Sequence, residues 1–306
     1  MLHNNNNEFK ELILSARHKY QIDVSLIEKD YYVTLLLKEL NKEIPGLLFK
    51  GGTSLAKCYK VIDRFSEDID LTLDNEHFSQ SKKRSANKKV IEICEKLGFN
   101  IVNLDIVKQH GHANYNVYLI EYPKMFNSDF IDPYVKIEMV FIQKAYPNEI
   151  KMCNSYIGEW LIENKYNMEA MKYDLLPFEI NVQTLERTLV DKVFAICDYY
   201  LRNESRRNSR HIYDIYQIIK RISFNEELVI LVERVRKDRK VNKSSLSAQD
   251  DVNVNEILLK IIESLFYKED YENTTKKILI KNVNYEVAIM GLHEIIKSGI
   301  FINKIM

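Results

Sequence analysis

The segment from residue 68 to residue 73 constrains the fold more than any other part of this sequence, because polar and apolar residues alternate along it. Side chains two residues apart on a β-strand point to the same face of a sheet. Ile69, Leu71 and Leu73 therefore predict a buried face, and Asp68 and Asp70 fall together on the opposite face. Two carboxylates that close repel each other unless positive charge lies nearby. The pattern predicts a half-buried strand whose polar face binds a cation or a basic partner.

The chemistry of this polar face points to a hard metal ion. Carboxylate oxygens without neighbouring histidine or cysteine suit Mg²⁺, which keeps a few protein carboxylates and completes its shell with water and phosphate oxygens. Asp68 and Asp70 are thus candidate metal ligands in a site for phosphoryl transfer. The residues alone leave a second interpretation open, in which the two aspartates form a solvated strand face or cap a helix.

A glycine pair precedes the aspartates. The run LLFK, residues 47–50, predicts a short strand that ends at Gly51 and Gly52, and a helix follows with Thr53 or Ser54 as its expected N-cap. Glycine lets the backbone approach a ligand closely, and the unpaired N–H groups at a helix N-terminus attract anions. The hydroxyls of Thr53 and Ser54 would add donors for a triphosphate. By itself, a glycine pair indicates only a tight turn.

Arg64 and Ser66 lie just before the aspartates and are candidates to contact phosphate oxygens. Alternatively, Arg64 is only the salt-bridge partner of the two aspartates. Two common nucleotide motifs are absent: the segment GGTSLAK lacks the glycine before lysine that a P-loop needs, and GxGxxG occurs nowhere. These absences argue against a Walker-type ATPase and a Rossmann dehydrogenase.

Composition limits the remaining classes of protein. Lysine plus arginine and aspartate plus glutamate both total 44 residues, so any affinity for nucleic acid or anionic membrane must come from local patches. No apolar run reaches the length of a membrane span, and the N-terminus lacks the order of a secretory signal. The cysteines are scattered without CxxC spacing, which argues against a structural zinc site. We therefore expect a cytoplasmic protein with no membrane segment.

The sequence patterns change character along the chain. Helical and strand-like runs are mixed in the first half, whereas the pattern from Thr184 onward is helical, with Leu189, Val193 and Ile196 on one stripe. The patterns predict an α/β or α+β first half, of which we take α+β, and a boundary near residue 155. The first domain, 1–155, would hold the strands and N-terminal helices, and the second, 156–306, would be mainly helical.

Two basic tracts, at residues 81–89 and 202–211, are the local patches that would suit an RNA backbone. Tyr199 and Tyr200 precede the second tract and are candidates to stack on bases. The alternatives are that both tracts are solvated helix faces and that the tyrosines pack in the core at the end of their helix.

Several separated motifs, taken together, resemble one known family. From about residue 25 to residue 220, the chain resembles the AbiEii/AbiGii-type toxins, which are members of the DNA polymerase β-like nucleotidyltransferase superfamily. The motifs that carry this resemblance occur in the family's order and approximate spacing: Glu28-Lys29-Asp30-Tyr31, FKGGTSLAK, RFSEDIDL, VKIEMVF, LERTLVDK and RHIYDIYQI.

The resemblance implies a fold and an activity. The fold would be a nucleotidyltransferase-like mixed sheet flanked by helices, followed by a helical C-terminal domain that completes the active-site cleft. The activity would be Mg²⁺-dependent transfer of an NMP from an NTP to an acceptor, which in such relatives is often the 3′ end of tRNA. The protein would act as the toxin of a toxin–antitoxin pair and have a cognate antitoxin.

The resemblance also assigns roles to single residues. Asp68 and Asp70 look like the metal-binding pair, and Glu138 resembles the third carboxylate from a neighbouring strand. Lys192 and Asp214 resemble the lysine and aspartate of the later motifs, with Lys192 on the triphosphate and Asp214 either orienting that lysine or acting as a base. Without the resemblance, Glu138 would be half of a surface pair with Lys136, and Lys192 and Asp214 would be ordinary helix residues.

Two rival functions remain open at this stage. The same core would serve for nucleotidylation of a protein or an antibiotic, and a non-catalytic nucleotide-binding module would inhibit by sequestration. The five intact candidates for catalysis argue against the second rival, because binding alone would not need them all.

Overall fold

A computed structural model describes residues 1–110, 114–128, 131–142 and 144–301. In this part of the chain, the fold divides into two compact units. The first consists of Met1–Tyr59 and Ser66–Gln183, and the second of Lys60–Phe65 together with the chain from Thr184 onward. The functional domains predicted above, with their boundary at residue 155, stay a prediction.

The first unit contains the strands and a set of helices. Its helices are α1 (Asn6–Tyr20), α2 (Val24–Glu43), α3 (Gly51–Lys57), α4 (Gln80–Leu97), α5 (Leu104–His110), α6 (Tyr156–Glu163) and α7 (Asn167–Lys172). Its strands are β1 (Leu47–Lys50), β2 (Ile69–Leu73), β3 (Asn100–Ile101), β4 (Tyr115–Glu121), β5 (Val135–Val140), β6 (Asn148–Cys153) and β7 (Phe178–Gln183).

These strands, as far as the structure describes the chain, form one seven-stranded sheet in the order β3-β4-β5-β2-β1-β7-β6. The pairs β2–β5 and β1–β7 are parallel, and the other neighbouring pairs are antiparallel. A mixed sheet with this many helices confirms the prediction of an α+β chain.

The alternation of polar and apolar residues over positions 68–73 is seen in β2. Ile69, Leu71 and Leu73 are buried, as predicted, in the core of the first unit. The long helix α2 packs against α4 and β5 and adds Leu36 and Leu37 to the same core. Burial of these apolar side chains fixes which face of β2 points inward, because a strand's side chains alternate between its two faces.

The second unit is built from helices in its described residues. They are α8 (Leu185–Leu201), α9 (Arg210–Ile218), α10 (Glu226–Lys240), α11 (Val254–Glu263), α12 (Lys268–Asp270), α13 (Lys276–Ile278), α14 (Tyr285–Ala288) and α15 (Met290–Ser298). Thr184 caps α8 by accepting a hydrogen bond from the backbone N–H of Arg187. The predicted stripe of Leu189, Val193 and Ile196 on α8 is fully buried.

The segment Lys60–Phe65 joins the second unit through backbone pairing with the chain after α13. Arg64 forms an antiparallel bridge with Leu279. The N–H of Phe65 donates to the carbonyl of Ile278 at 2.9 Å, and the N–H of Ile280 donates to the carbonyl of Asp63 at 2.8 Å.

None of the helices that the structure describes is both long and apolar enough to cross a bilayer.

The position of β5 inside the sheet gives a first testable prediction. Ile137 on β5 is fully buried, whereas Ile150 on the edge strand β6 is 66% exposed. We expect Ile137→Ala to lower the free energy of unfolding by about 2–5 kcal/mol, because it removes buried surface and leaves a cavity. Ile150→Ala should change it by no more than about 0.5 kcal/mol. Urea-induced unfolding of both variants checks this, and equal losses would contradict the assigned sheet order.

Candidate active site

The first unit carries an acidic face formed by two neighbouring strands. β2 and β5 are parallel, with Ile69 beside Ile137 and Asp70 beside Glu138. Because both isoleucines are buried, the alternating residues of both strands point to the other face. The predicted third carboxylate therefore lies next to the predicted pair.

A lysine ammonium already bridges this acidic face. Lys136 Nζ lies 3.0 Å from Asp68 Oδ2 and 2.8 Å from Glu138 Oε1. Partial burial by itself would lower the pKa of Lys136, but the hydrogen bonds and charges of Glu138 and Asp68 raise it above its ordinary value. The surface pair of Lys136 with Glu138 exists, as the alternative interpretation expected, but the same ammonium also reaches Asp68.

Gly51 brings the backbone of the glycine turn against Asp70. It has a φ of +77°, and a Cβ at this position would lie 1.9 Å from Asp70 Oδ2. A side chain at position 51 would therefore be strained by its backbone conformation and would collide with the carboxylate. Lys50, the residue before it, is paired with Asp70 across β1 and β2.

The hydroxyl groups that follow the glycines have partners within the turn. Thr53 Oγ1 and Ser66 Oγ are 3.0 Å apart, and Ser54 Oγ donates to the carbonyl of Gly51 at 2.9 Å. The prediction that Thr53 or Ser54 caps the helix is wrong, because α3 begins at Gly51 and its N-cap, Lys50, makes no side-chain capping bond. The helix begins earlier than the sequence suggested, since its first hydrogen-bonded turn already includes Gly51 and Gly52, although the φ of Gly51 is positive.

A second group of predicted residues meets in the second unit, around the fully buried Asp214 on α9. Arg64 donates to both oxygens of Asp214, from Nε and Nη2, at 2.7 Å each. Lys192 Nζ on α8 lies 2.7 Å from Asp214 Oδ2 and 3.4 Å from His211 Nδ1. Asp214, Arg64 and Lys192 are 0%, 4% and 6% exposed, so neither Lys192 nor Asp214 is an ordinary surface residue.

The charges of this group shift one another. Burial alone would raise the pKa of Asp214, but Arg64 and Lys192 hold it well below its ordinary value. Burial lowers the pKa of Lys192, and Asp214 only partly offsets that effect. Burial, together with the charges of Lys192 and Arg210, also lowers the pKa of His211 well below its usual value. Asp214 is therefore a permanent anion that two cations share.

The donor set of the acidic face fits Mg²⁺. In the described residues, no three carboxylate, imidazole or thiolate groups converge closely enough to hold a metal as they stand. A Mg²⁺ ion in a phosphoryl-transfer site takes only one or two carboxylates and obtains the rest of its shell from water and substrate phosphates. Asp68 and Glu138 already share one cation, Lys136, and their side chains are 25% and 24% exposed. The carboxylates are therefore of the right chemistry and accessible.

The predicted site residues thus fall into two groups. Those of the first unit are Asp68, Asp70, Glu138, Gly51, Gly52, Thr53, Ser54 and Ser66. Those of the second unit are Arg64, Lys192 and Asp214. Arg64 pairs with Asp214, whereas the salt bridge that the sequence left open was with Asp68 and Asp70.

Sequence reasoning missed two contacts in these groups. The bridge from Lys136 to Asp68 needs the register of two strands that are far apart in the chain. The approach of His211 to Lys192 needs the packing of α8 against α9. The alternation of side chains along β5 would have placed Lys136 on the acidic face, because Lys136 and Glu138 are two residues apart on one strand.

The second basic tract has an exposed surface. Arg202, Arg206, Arg207 and Arg210 are all exposed. Tyr199 stacks on His211 with ring centroids 6.0 Å apart, and Tyr200 packs edge-on against Phe266 at 5.0 Å. The two tyrosines have aromatic partners within the second unit, as the core-packing alternative expected.

The first basic tract forms the start of α4, and one of its lysines is buried. Lys83 Nζ donates to the carbonyl of Phe141 and to Asn114 Oδ1, each at 3.1 Å. Its neighbours Lys82 and Arg84 are exposed. This tract is therefore partly structural.

Comparison with known protein families identifies a match over most of the chain. The model of the family described as "Nucleotidyl transferase AbiEii toxin, Type IV TA system" matches residues 35–285, which is more than half of the chain. The matched range contains every residue of both groups described above.

The buried anion gives a second testable prediction. Asp214→Asn leaves two cations buried without their counter-ion, so we expect the free energy of unfolding at pH 7 to fall by about 3–5 kcal/mol. Because the folded-state pKa of Asp214 is depressed, its contribution is present above about pH 4 and is lost as the pH falls further. The difference between the wild type and the variant should therefore shrink below about pH 4.

Asp63→Asn is the matched control for this measurement. Asp63 pairs with Lys281 at 3.1 Å, but the two side chains are 48% and 76% exposed. Loss of such a pair costs no more than about 1 kcal/mol. Urea-induced unfolding between pH 7 and pH 3 measures all three proteins. A loss of the same size in both variants would show that Asp214 is not the buried counter-ion described here.

Proposed function

The chain belongs to the AbiEii family of nucleotidyl transferase toxins of type IV toxin–antitoxin systems, and we propose that it moves an NMP from an NTP onto a hydroxyl at the 3′ end of tRNA in a Mg²⁺-dependent reaction. The observation that carries this proposal is the acidic face, where Asp70 lies beside Glu138 and Asp68 shares a cation with Glu138. We further propose a nucleotidyltransferase-like fold for the strand-bearing part and a mainly helical C-terminal domain. The reaction would take place in the cytoplasm, and a cognate antitoxin would restrain it.

Asp68, Asp70 and Glu138 are the residues that would hold the metal. Bound Mg²⁺ would supply neutralisation of triphosphate charge and activation of the acceptor oxygen. Lys136 occupies a cation position between Asp68 and Glu138, and it is 30% exposed on a flexible side chain. The lysine is therefore able to give up one carboxylate when a divalent ion competes for it.

The glycine turn is the proposed phosphate-binding element. Gly51 and Gly52 open α3, where backbone N–H groups lack partners inside the helix. The contact between Gly51 and Asp70 keeps this turn next to a metal ligand. Thr53, Ser54 and Ser66 hold the turn through their hydroxyl bonds and remain candidates to contact a phosphate.

Lys192 is the proposed cation for the triphosphate. An ammonium group has three N–H donors, and two are directed to Asp214 and His211. Asp214 is unsuited to act as a base, because its lowered pKa and two cationic partners make it a weak proton acceptor. We therefore propose that Asp214 and Arg64 position Lys192, which is the first of the two roles that the sequence left open for Asp214.

The exposed arginines of the second basic tract favour RNA as the acceptor. Arg202, Arg206 and Arg207 lie between α8, which carries Lys192, and α9, which carries Asp214, and Arg210 is the first residue of α9. Clustered cations release counter-ions from a phosphate backbone, so they favour a nucleic acid over a small antibiotic.

The proposed activity is tested by transfer of label from each α-labelled NTP to total cellular RNA in the presence of Mg²⁺. We expect Asp70→Asn to lower transfer by at least about 1,000-fold, because loss of metal binding removes several kcal/mol of charge stabilisation. The melting temperature should stay close to that of the wild type, since Asp70 lies on the polar face. Asp105→Asn, an exposed aspartate in α5, is the control and should transfer label normally.

The destination of the label separates the rival acceptors. Label in RNA that depends on Asp70 supports the proposal. Label in a protein or an added antibiotic, with none in RNA, would move the alternative acceptor ahead. Undiminished transfer by Asp70→Asn would contradict the metal site itself.

The contact between Gly51 and Asp70 gives a further prediction. Gly51→Ala and Gly98→Ala each place alanine at a positive φ, +77° and +72°, so each should lose about 1–2 kcal/mol of stability. Only the first also meets a carboxylate, because nothing lies within 4 Å of a Cβ at Gly98. We expect Gly51→Ala to lose nearly all transfer activity and Gly98→Ala to keep it. Similar activity of the two variants would separate Gly51 from the site.

A further inference from the structure

The motif Glu28-Lys29-Asp30 lies on α2, and the proposed function does not use it. Glu28 and Lys29 are 0% and 1% exposed, which is rare for charged residues in the middle of a helix. Glu28 accepts hydrogen bonds from the N–H groups of Met125 and Phe126, at 2.6 Å and 3.0 Å. Asp30 pairs with Lys57, the last residue of α3. Each of these charged residues fixes a different segment of the first unit.

Lys29 contacts the chain immediately before both strands of the acidic face. Its Nζ lies 2.6 Å from Glu67 Oε2, and Glu67 directly precedes Asp68. The same ammonium donates to the carbonyl of Asp132 at 2.7 Å, three residues before β5 begins. β2 and β5 are parallel neighbours, so these two segments lie at the same end of the two strands.

The charged atoms Lys29 Nζ and Glu67 Oε2 are both buried, and removing them from water costs free energy. Glu67 Oε2 is itself buried and has no hydrogen-bond partner among the described residues, so the ammonium of Lys29, 2.6 Å away, compensates its charge, although the Glu67 side chain as a whole is 22% exposed. Burial lowers the pKa of Lys29, and the attraction of Glu67 does not offset this effect fully. Buried ion pairs of this kind seldom add net stability compared with apolar residues of the same size. Stability alone therefore does not explain the pair.

We propose that Lys29 is a positioning residue of the active site, which fixes Asp68 and Asp70 on one strand relative to Glu138 on the other by holding Glu67 and the carbonyl of Asp132. This inference rests on the proposed function, because it concerns the carboxylates assigned there to the metal. Lys29 touches none of these carboxylates itself; it acts through the two segments that precede them. Contacts that orient metal ligands affect affinity by roughly 10- to 100-fold when they are lost.

The decisive variant is the double substitution Lys29→Met with Glu67→Gln. It removes both charges and keeps similar side-chain volumes, so the protein should melt close to the wild type. The readout is the binding of Mn²⁺ alone, followed by loss of its free electron paramagnetic resonance signal. We expect binding roughly 10- to 100-fold weaker than in the wild type. Lys29→Met alone serves if the double variant does not fold, because it removes the ammonium that joins the two segments, while Glu67, whose side chain is 22% exposed, is able to turn to solvent.

Lys38→Met is the matched control on the same helix. Lys38 is 8% exposed, and its ammonium donates to the carbonyl and to Oδ1 of Asp174, at 2.7 Å and 2.8 Å. It thus resembles Lys29 in its own burial and in the kinds of group that it contacts, although the Asp174 side chain is 65% exposed. The segment that it holds leads into β7, which carries none of the proposed metal ligands. Its loss should lower the melting temperature and leave Mn²⁺ binding unchanged.

The outcomes separate this inference from the function on which it rests. Mn²⁺ binding that is weakened in the Lys29 and Glu67 variants but not in Lys38→Met supports the positioning role. Wild-type affinity in the folded double variant, or in Lys29→Met where that is the variant measured, would overturn it, as would equal weakening by Lys38→Met. If wild-type protein fails to bind Mn²⁺, or Asp70→Asn binds it normally, the metal site itself is wrong and this inference falls with it.

Discussion

The parallel pairing of β2 with β5 is the constraint on which the acidic face depends. With Ile69 beside Ile137 and Asp70 beside Glu138, both strands bury their apolar residues on one side. A slip of one residue would place Glu138 opposite a buried position, and the core would then hold an uncompensated charge. The register is therefore fixed by the hydrophobic core, and the carboxylates come together as a consequence. The chemistry of the face is a by-product of packing on the other side of the sheet.

The sequence could predict those parts of the structure that depend on short-range periodicity. The alternation in β2 predicted its buried residues, and the stripe on α8 predicted Leu189, Val193 and Ile196. The order of the strands and the pairing of β2 with β5 depend on contacts between residues far apart in the chain, which periodicity does not encode. The start of α3 was placed too late because the glycines, read as a turn, form its first residues.

The partners of the buried charges were the least predictable part of the candidate site. Arg64 was expected near Asp68 and Asp70, four and six residues away, but it pairs with Asp214, which is 150 residues away. The choice depends on the backbone bridge between Arg64 and Leu279, which carries the segment around Arg64 into the second unit. No local pattern contains this information. The charged motif on α2 did contain a signal, since a helix that buries consecutive charges must supply each with a partner.

Among the lysines that pair with carboxylates, Lys136, Lys29 and Lys192 differ in exposure, and the difference indicates different uses. Lys136 is 30% exposed and bridges two carboxylates that are themselves accessible, so solvent and a competing cation are able to reach the pair. Lys29 is 1% exposed, and the loss of its ammonium would leave the buried Oε2 atom of Glu67 without compensation. Lys192 lies between these cases: it is buried, and Asp214 fixes its ammonium in place. A metal ion is able to displace the ammonium of an exposed lysine. A fully buried lysine such as Lys29 instead restrains the segments to which it is bound. Lysine therefore serves in two ways: Lys136 is a replaceable counter-ion on the acidic face, and Lys29 is a fixed contact to the segments that precede its strands.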